Sequence, residues 1–148
     1  MQIKIIVLKS DVISAIAETT DYTGNKTETA DREEFHERVA TVENDAELLS
    51  RYWQEVCATL ADALRSFITE ALFGRETFTL TLELSSSYDT SLTPAVEAGI
   101  FSIICSSITW RWFRLTMPSR ADEWKKEASC QFSALIANLY HRKKPIRQ

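Results

Sequence analysis

From Leu49 to Leu72 apolar side chains return every three or four positions: Leu49, Tyr52, Trp53, Val56, Cys57, Leu60, Leu64, Phe67, Ile68, Ala71 and Leu72. That period puts them on one face of an α-helix. Asn44 supplies an N-cap, Asp45 an acid in the first turn, and Glu47 the far member of a capping box. Gly74 supplies a C-terminal stop. The pattern predicts a helix of about 28 residues and ~42 Å, long enough to span a small domain. The whole chain of 148 residues holds only three glycines and three prolines. Few breakers mean long elements, so a mainly α fold is favoured over a many-stranded sandwich.

The rest of the chain fits around that helix. Ile3 to Lys9 is short and β-branched and reads as a strand. Ser10 can cap a short helix from Asp11 to about Thr20, stopped by the turn chemistry of Asp21-Tyr22-Thr23-Gly24-Asn25-Lys26. The acidic stretch Thr27 to Glu43 reads either as a modest helix, through Phe35 and Val39, or as a loop that orders on binding. Thr77 to Leu84 alternates without fault: Phe78, Leu80, Leu82 and Leu84 face one way, Thr77, Thr79, Thr81 and Glu83 the other. Thr93 caps a further helix with Pro94 at its first position. Its apolar residues, Val96 through Leu115, cover most of the circumference, which predicts burial nearly all round. Met117-Pro118 ends it, and Ser119 caps a last helix from Arg120 to about His141. The expected architecture is one domain over 1–148. It has an N-terminal part (1–43), a helical core of about four helices (44–141) with a two-stranded β piece including 77–84, and a basic tail (142–148). The two strands pair within the chain, or the apolar N-terminal strand is donated to another chain.

Chemistry-bearing patterns are few. Cys57, Cys105 and Cys130 are widely separated, lack the CxxC spacing of a zinc site, and read as buried small hydrophobes. His36 sits among Glu33, Glu34 and Glu37, where weak metal chelation is the alternative to a solvated histidine, and His141 lies beside the basic tail; neither makes an HxxxH or HxxE pattern. No GxSxG, Walker A or GxGxxG occurs. The sequence thus predicts no enzyme, no cofactor and no metal. Ala98 to Leu115 is the longest apolar run, and Arg111 and Arg114 interrupt it, so no membrane span is expected.

Two segments point outward. The last ten residues carry Arg142, Lys143, Lys144 and Arg147 and no acid, whereas the chain has a net charge of −4. Subtracting the +4 of the tail leaves the body at −8. A basic tail on an acidic body suits contact with another copy of that body or with nucleic acid. Pro145 and Ile146 make the tail more than a charge run, because a Lys-Pro-Ile segment can extend into a partner's groove. Trp110-Arg111-Trp112-Phe113-Arg114 has three readings: core anchors with arginine stems along the surface, a nucleic-acid stacking platform, or an interface hot spot.

A helix opening with Asp45-Ala46-Glu47-Leu48-Leu49 continues through Ala58 and Ala61. A second opens with Leu92-Thr93-Pro94-Ala95-Val96-Glu97-Ala98 and ends in Trp110-Arg111-Trp112-Phe113-Arg114, and a third leads into a free tail. This order, over roughly residues 44 to 148, resembles the head–tail connector (adaptor) proteins of tailed phages and prophages. The closing Leu139-Tyr140-His141-Arg142-Lys143-Lys144-Pro145 is also similar to structural-gene products of prophages. The resemblance implies a small, helical, non-enzymatic protein of the virion neck, made in the host cytoplasm. It implies a twelve-fold homo-oligomeric ring beneath the portal protein, contacts with tail or stopper proteins, and a C-terminal tail that docks on the portal. The strand at 77–84 and the N-terminal strand and helix depart from that pattern.

The expected partner-binding residues are therefore Arg142, Lys143, Lys144, Pro145, Ile146 and Arg147 in the tail, with Trp110, Trp112 and Arg114. The acidic segment Glu28 to Glu47 is expected on a partner-facing surface as well, and an acidic lumen would let DNA slide through the ring without sticking. The rivals are a nucleic-acid-binding module using Arg111, Arg114 and the tail, a ligand-binding protein or small enzyme with a pocket near Trp124 and Tyr140, and a monomeric regulator.

Overall fold

The computed structural model describes residues 1–26, with side chains as far as 20, and residues 45–145. The acidic segment 27–43 with His36, and the tail residues Ile146 and Arg147, lie outside the described residues. The elements run β1 (Gln2–Leu8), α1 (Lys9–Lys26), α2 (Ala46–Ala63), β2 (Ile68–Phe73), β3 (Thr77–Glu83), α3 (Thr93–Thr116) and α4 (Pro118–Tyr140). Mainly α with a minor β element is the fold class, but the sheet has three strands, in the order β1-β3-β2, all antiparallel.

The fault-free alternation of β3 does what its pattern requires. Phe78, Leu80 and Leu82 are buried on the inner face, and β1 adds Ile5 and Val7 beside them. The two strands pair within one chain, Ile5 opposite Leu80 and Val7 opposite Phe78.

The long helix expected from Asp45 to Leu72 is instead two elements. α2 ends at Ala63, after burying Leu49, Tyr52, Trp53, Val56, Cys57 and Leu60. The chain then turns, with the Leu64 N–H donating to Leu60 and the Phe67 N–H to Leu64. Residues 68–73 pair with β3, with an irregularity between Ile68 and Glu70. The physical reason is the second edge of β3. Left bare, it would present unpaired N–H and C=O groups alongside the core. Gly74 marks this hairpin turn and not a helix end: its N–H donates to Thr77 O at 2.8 Å. A Cβ there would sit 3.0 Å from the same carbonyl oxygen.

α1 also differs from expectation: it continues through the turn-like residues to Lys26. One glycine in a helix costs only about 1 kcal/mol against alanine. The inner stripe Val12, Ile16, Thr20 is buried throughout, and Thr20 Oγ1 donates to Ile16 O at 3.0 Å.

α3 is the central helix, in contact with α1, α2, α4 and β1. Val96, Ile100, Ile104, Ile108 and Phe113 have no exposed surface. By length and composition the segment Thr90–Thr116 is apolar enough to cross a membrane, so the two arginines do not disqualify it as the sequence suggested. Here the surrounding elements bury 39% of its most apolar stretch, short of the nearly all-round burial expected from the sequence. α4 returns antiparallel to α3 after the single residue Met117, so that residues on either side of the break meet: the ring centroids of Phe113 and Trp124 lie 6.3 Å apart. Neither expected cap forms. Leu92 and Met117 hold the N-cap positions without a side-chain bond, and Asp89 caps the short 3₁₀ turn before α3, accepting from Ser91 N at 3.1 Å.

Candidate functional site

The end of α3 carries Trp110 to a surface shared with α4. Three cations surround its indole. The Arg111 guanidinium carbon lies 5.0 Å from the ring centroid, that of Arg114 5.1 Å, and Lys125 Nζ 5.4 Å. Arg111 and Arg114 come from the same helix. Lys125 arrives from α4 because the hairpin folds about Met117. Each such contact contributes about 0.5–1 kcal/mol at an exposed site. A groove of about 390 Å³ opens beside the indole, lined among others by Ile103, Ser107, Ala128 and Phe132.

Arg111 is the best-held of the three. Its Nη1 donates to Ser107 O at 3.2 Å, and its Nε faces Glu55 of α2 at 3.7 Å. Burial lowers its proton affinity, with Glu55 opposing and Arg114 adding to the effect, but a guanidinium stays charged. Among the described residues Arg114 and Lys125 form no ion pair.

Trp112, expected to face a partner, points into the subunit's own core and is 4% exposed. It leaves the candidate surface for a simple reason: adjacent helical positions lie about 100° apart, so Trp110 and Trp112 cannot share a face. Trp124 and Tyr140, expected beside a ligand pocket, pack on Phe113 and Phe67, the latter at 5.2 Å.

The tail is not free from Arg142 onward. Arg142 forms a bridge opposite the buried Tyr88. The Lys143 N–H donates to Ser87 O at 2.8 Å and the Asp89 N–H to His141 O at 3.3 Å. His141 Nε2 also lies 3.8 Å from the Asp89 carboxylate. Hydrogen bonds from Ser91 hold the Asp89 carboxyl below its usual pKa, with His141 and Lys143 adding to this. The chain leaves this clamp at Lys144 and Pro145, both exposed.

No family model, curated protein or solved structure matches this chain.

Other candidate chemistry is sparse. Among the described residues no group of three or more His, Cys, Asp or Glu could hold a metal ion. All three cysteines are free. Burial pushes the Cys57 and Cys105 thiols up to about 12, which removes the thiolate that reactivity needs. Cys130 departs from expectation: it lies exposed on α4.

Of the partner-facing residues expected from sequence, the structure brings together Trp110 and Arg114 on one surface and Arg142 with Lys143 on another. Sequence reasoning missed Lys125, whose contact depends on the hairpin, and the clamp at Ser87–Asp89. The signal available for Lys125 was the Met117-Pro118 break, which forces α4 back along α3.

Proposed function

We propose that the protein is a non-enzymatic structural subunit of the phage head–tail junction, forming a ring and engaging a neighbouring polypeptide of the assembly, a portal or tail protein or the next subunit, through its C-terminal tail. The observation that carries this reading is the course of that tail. Backbone bonds to Ser87 and Asp89 fix where it departs, and from Lys144 it offers an exposed, cationic, proline-containing segment to a partner. A fixed point of departure lowers the entropy lost on docking. The exposed cations at Trp110 provide a second contact surface on the same helical hairpin, where Arg and Trp are the residue types that dominate interface energies.

The test is deletion of residues 144–148, which leaves the clamp in place. The helical signal and thermal midpoint stay unchanged, while incorporation into purified particles, read by mass spectrometry, falls to background. Full incorporation of the shortened chain would overturn the proposal.

The Trp110 cluster favours a second reading, binding to a nucleic-acid backbone. Its indole face already carries the chain's own cations, which leaves phosphate contact rather than base stacking as the means. Binding that weakens steeply, on the order of tenfold for each contacted phosphate or two, between 50 and 200 mM salt and is lost in Arg114→Glu would support it.

A further inference from the structure

One edge of the sheet has backbone groups without a partner among the described residues. The bonds from Leu84 N to Met1 O and from Lys9 N to Glu76 O fix which β1 positions face β3. Antiparallel ladders alternate, so Gln2, Lys4 and Ile6 turn their N–H and C=O groups to the open side. The side chain of Ile6 stands on the outer sheet face, 58% exposed. Along this edge runs a groove of about 330 Å³, lined by residues 4–8, by Asp11 of α1, and by Glu97 and Phe101 of α3. Asp11 and Glu97 are exposed acids, and Phe101 is a half-buried apolar wall. A long free edge with apolar flanks is a template for a further strand.

We propose that residues 144–148 of a second copy add to this edge as a fourth strand. The inference rests on the ring reading above and assigns the contact between neighbouring subunits. Three features select this occupant. The segment Lys144-Pro145-Ile146-Arg147-Gln148 is basic, and the groove offers Asp11 and Glu97 against the single cation Lys4. Five extended residues span at most ~17 Å, the length of the free run Gln2 to Ile6. Lys144, as the residue before a proline, is already confined to extended backbone. The missing N–H of Pro145 is also harmless in one of the two registers. With Lys144, Ile146 and Gln148 bonded to the edge, Pro145 and Arg147 turn their backbones outward. In that register Ile146 stands on the outer face beside Ile6, and Arg147 on the inner face toward Glu97. Because donor and acceptor are different surfaces, the contact is head-to-tail and propagates to a ring or filament.

Charge exchange between whole chains tests this. Light scattering over a concentration series reads self-association of the full chain. Asp11→Lys with Glu97→Lys reverses the groove, and Arg147→Glu reverses the tail charge that faces it. All three positions are exposed or terminal, and circular dichroism checks that each variant folds. Each reversal alone weakens self-association about tenfold or more, and combining both in one chain restores it. The inference is overturned if the unaltered chain stays monomeric at every concentration, which includes the case of a tail docked on its own subunit. It is equally overturned if either reversal leaves association unchanged, or if the combined variant shows no rescue. A protein incorporated into particles yet monomeric alone would sink this contact and leave the structural role standing. Charge-dependent rings from a protein absent from particles would do the reverse.

Discussion

Residues 46–73 and 93–116 both return apolar side chains at helical spacing and end in different structures. The second stretch forms one helix, α3, in contact with four other elements. The first is a helix only as far as Ala63 and then becomes the edge strand β2. Periodicity says which residues want burial, not which backbone delivers it. α3 has neighbours on several sides, with Glu97, Ala98, Arg114 and Leu115 left exposed, so helix satisfies its backbone and much of its apolar surface. Past Ala63 the chain lies beside the open edge of β3, and strand pairing there satisfies donors that a longer helix would strand. Ile68 in the strand and Phe67 in the turn before it still pack against the core, while Leu72 and Phe73 are 52% and 57% exposed.

Deleting core volume from the second stretch gives the largest expected effect. Ile104→Ala in α3 is expected to lower stability by about 2–5 kcal/mol in a denaturant titration, because its side chain is fully buried. Gly74→Ala should cost about 1–2 kcal/mol, through the 3.0 Å approach to a backbone oxygen that cannot easily give way. Were residue 74 a simple helix stop, solvent would absorb the methyl group and the effect would shrink. Leu72→Lys sharpens the contrast further. On the open sheet face it should change stability by no more than about 0.5 kcal/mol. A loss comparable to that of Ile104→Ala would mean that Leu72 belongs to a helix core after all.

The smallest effect concerns the far end of the helical hairpin, where the tail is clamped. Asp89 has its pKa depressed in the folded state, so its contribution is present above the ordinary carboxylate range and is lost as pH falls through the lowered value. Amide exchange at Lys143 should therefore accelerate below that range while exchange in α3 is unchanged. Uniform protection at Lys143 down to strongly acidic pH would contradict the assignment.

Much of this fold was legible because its signals are local. β3 alternates perfectly, α3 is apolar all round, and Met117-Pro118 marks the hairpin turn. β2 was not legible because Ile68, Ala71 and Leu72 keep the helical spacing and the segment does not alternate, and the deciding term is the unpaired edge of a strand elsewhere in the chain. The end of α1 was misread because a glycine and turn-forming residues weaken a helix by less than its buried face stabilises it. For the candidate surface, Arg111 and Arg114 stand beside Trp110 in sequence and were visible there. Lys125 was hidden because its approach depends on two helices meeting. Trp112 was misassigned because neighbours in sequence occupy different sides of a helix. Removing it from the surface leaves a patch whose aromatic contribution is one indole.

The bridge between Arg142 and Tyr88 has a mechanical consequence. Any tension that a captured tail transmits reaches the subunit first at the short backbone contacts of His141 and Lys143 with Ser87 and Asp89. These would peel apart one at a time, well before α4 could be drawn off α3. If the tail is captured as proposed, the clamp would act as a fuse, lengthening the tether under load while sparing the core behind it.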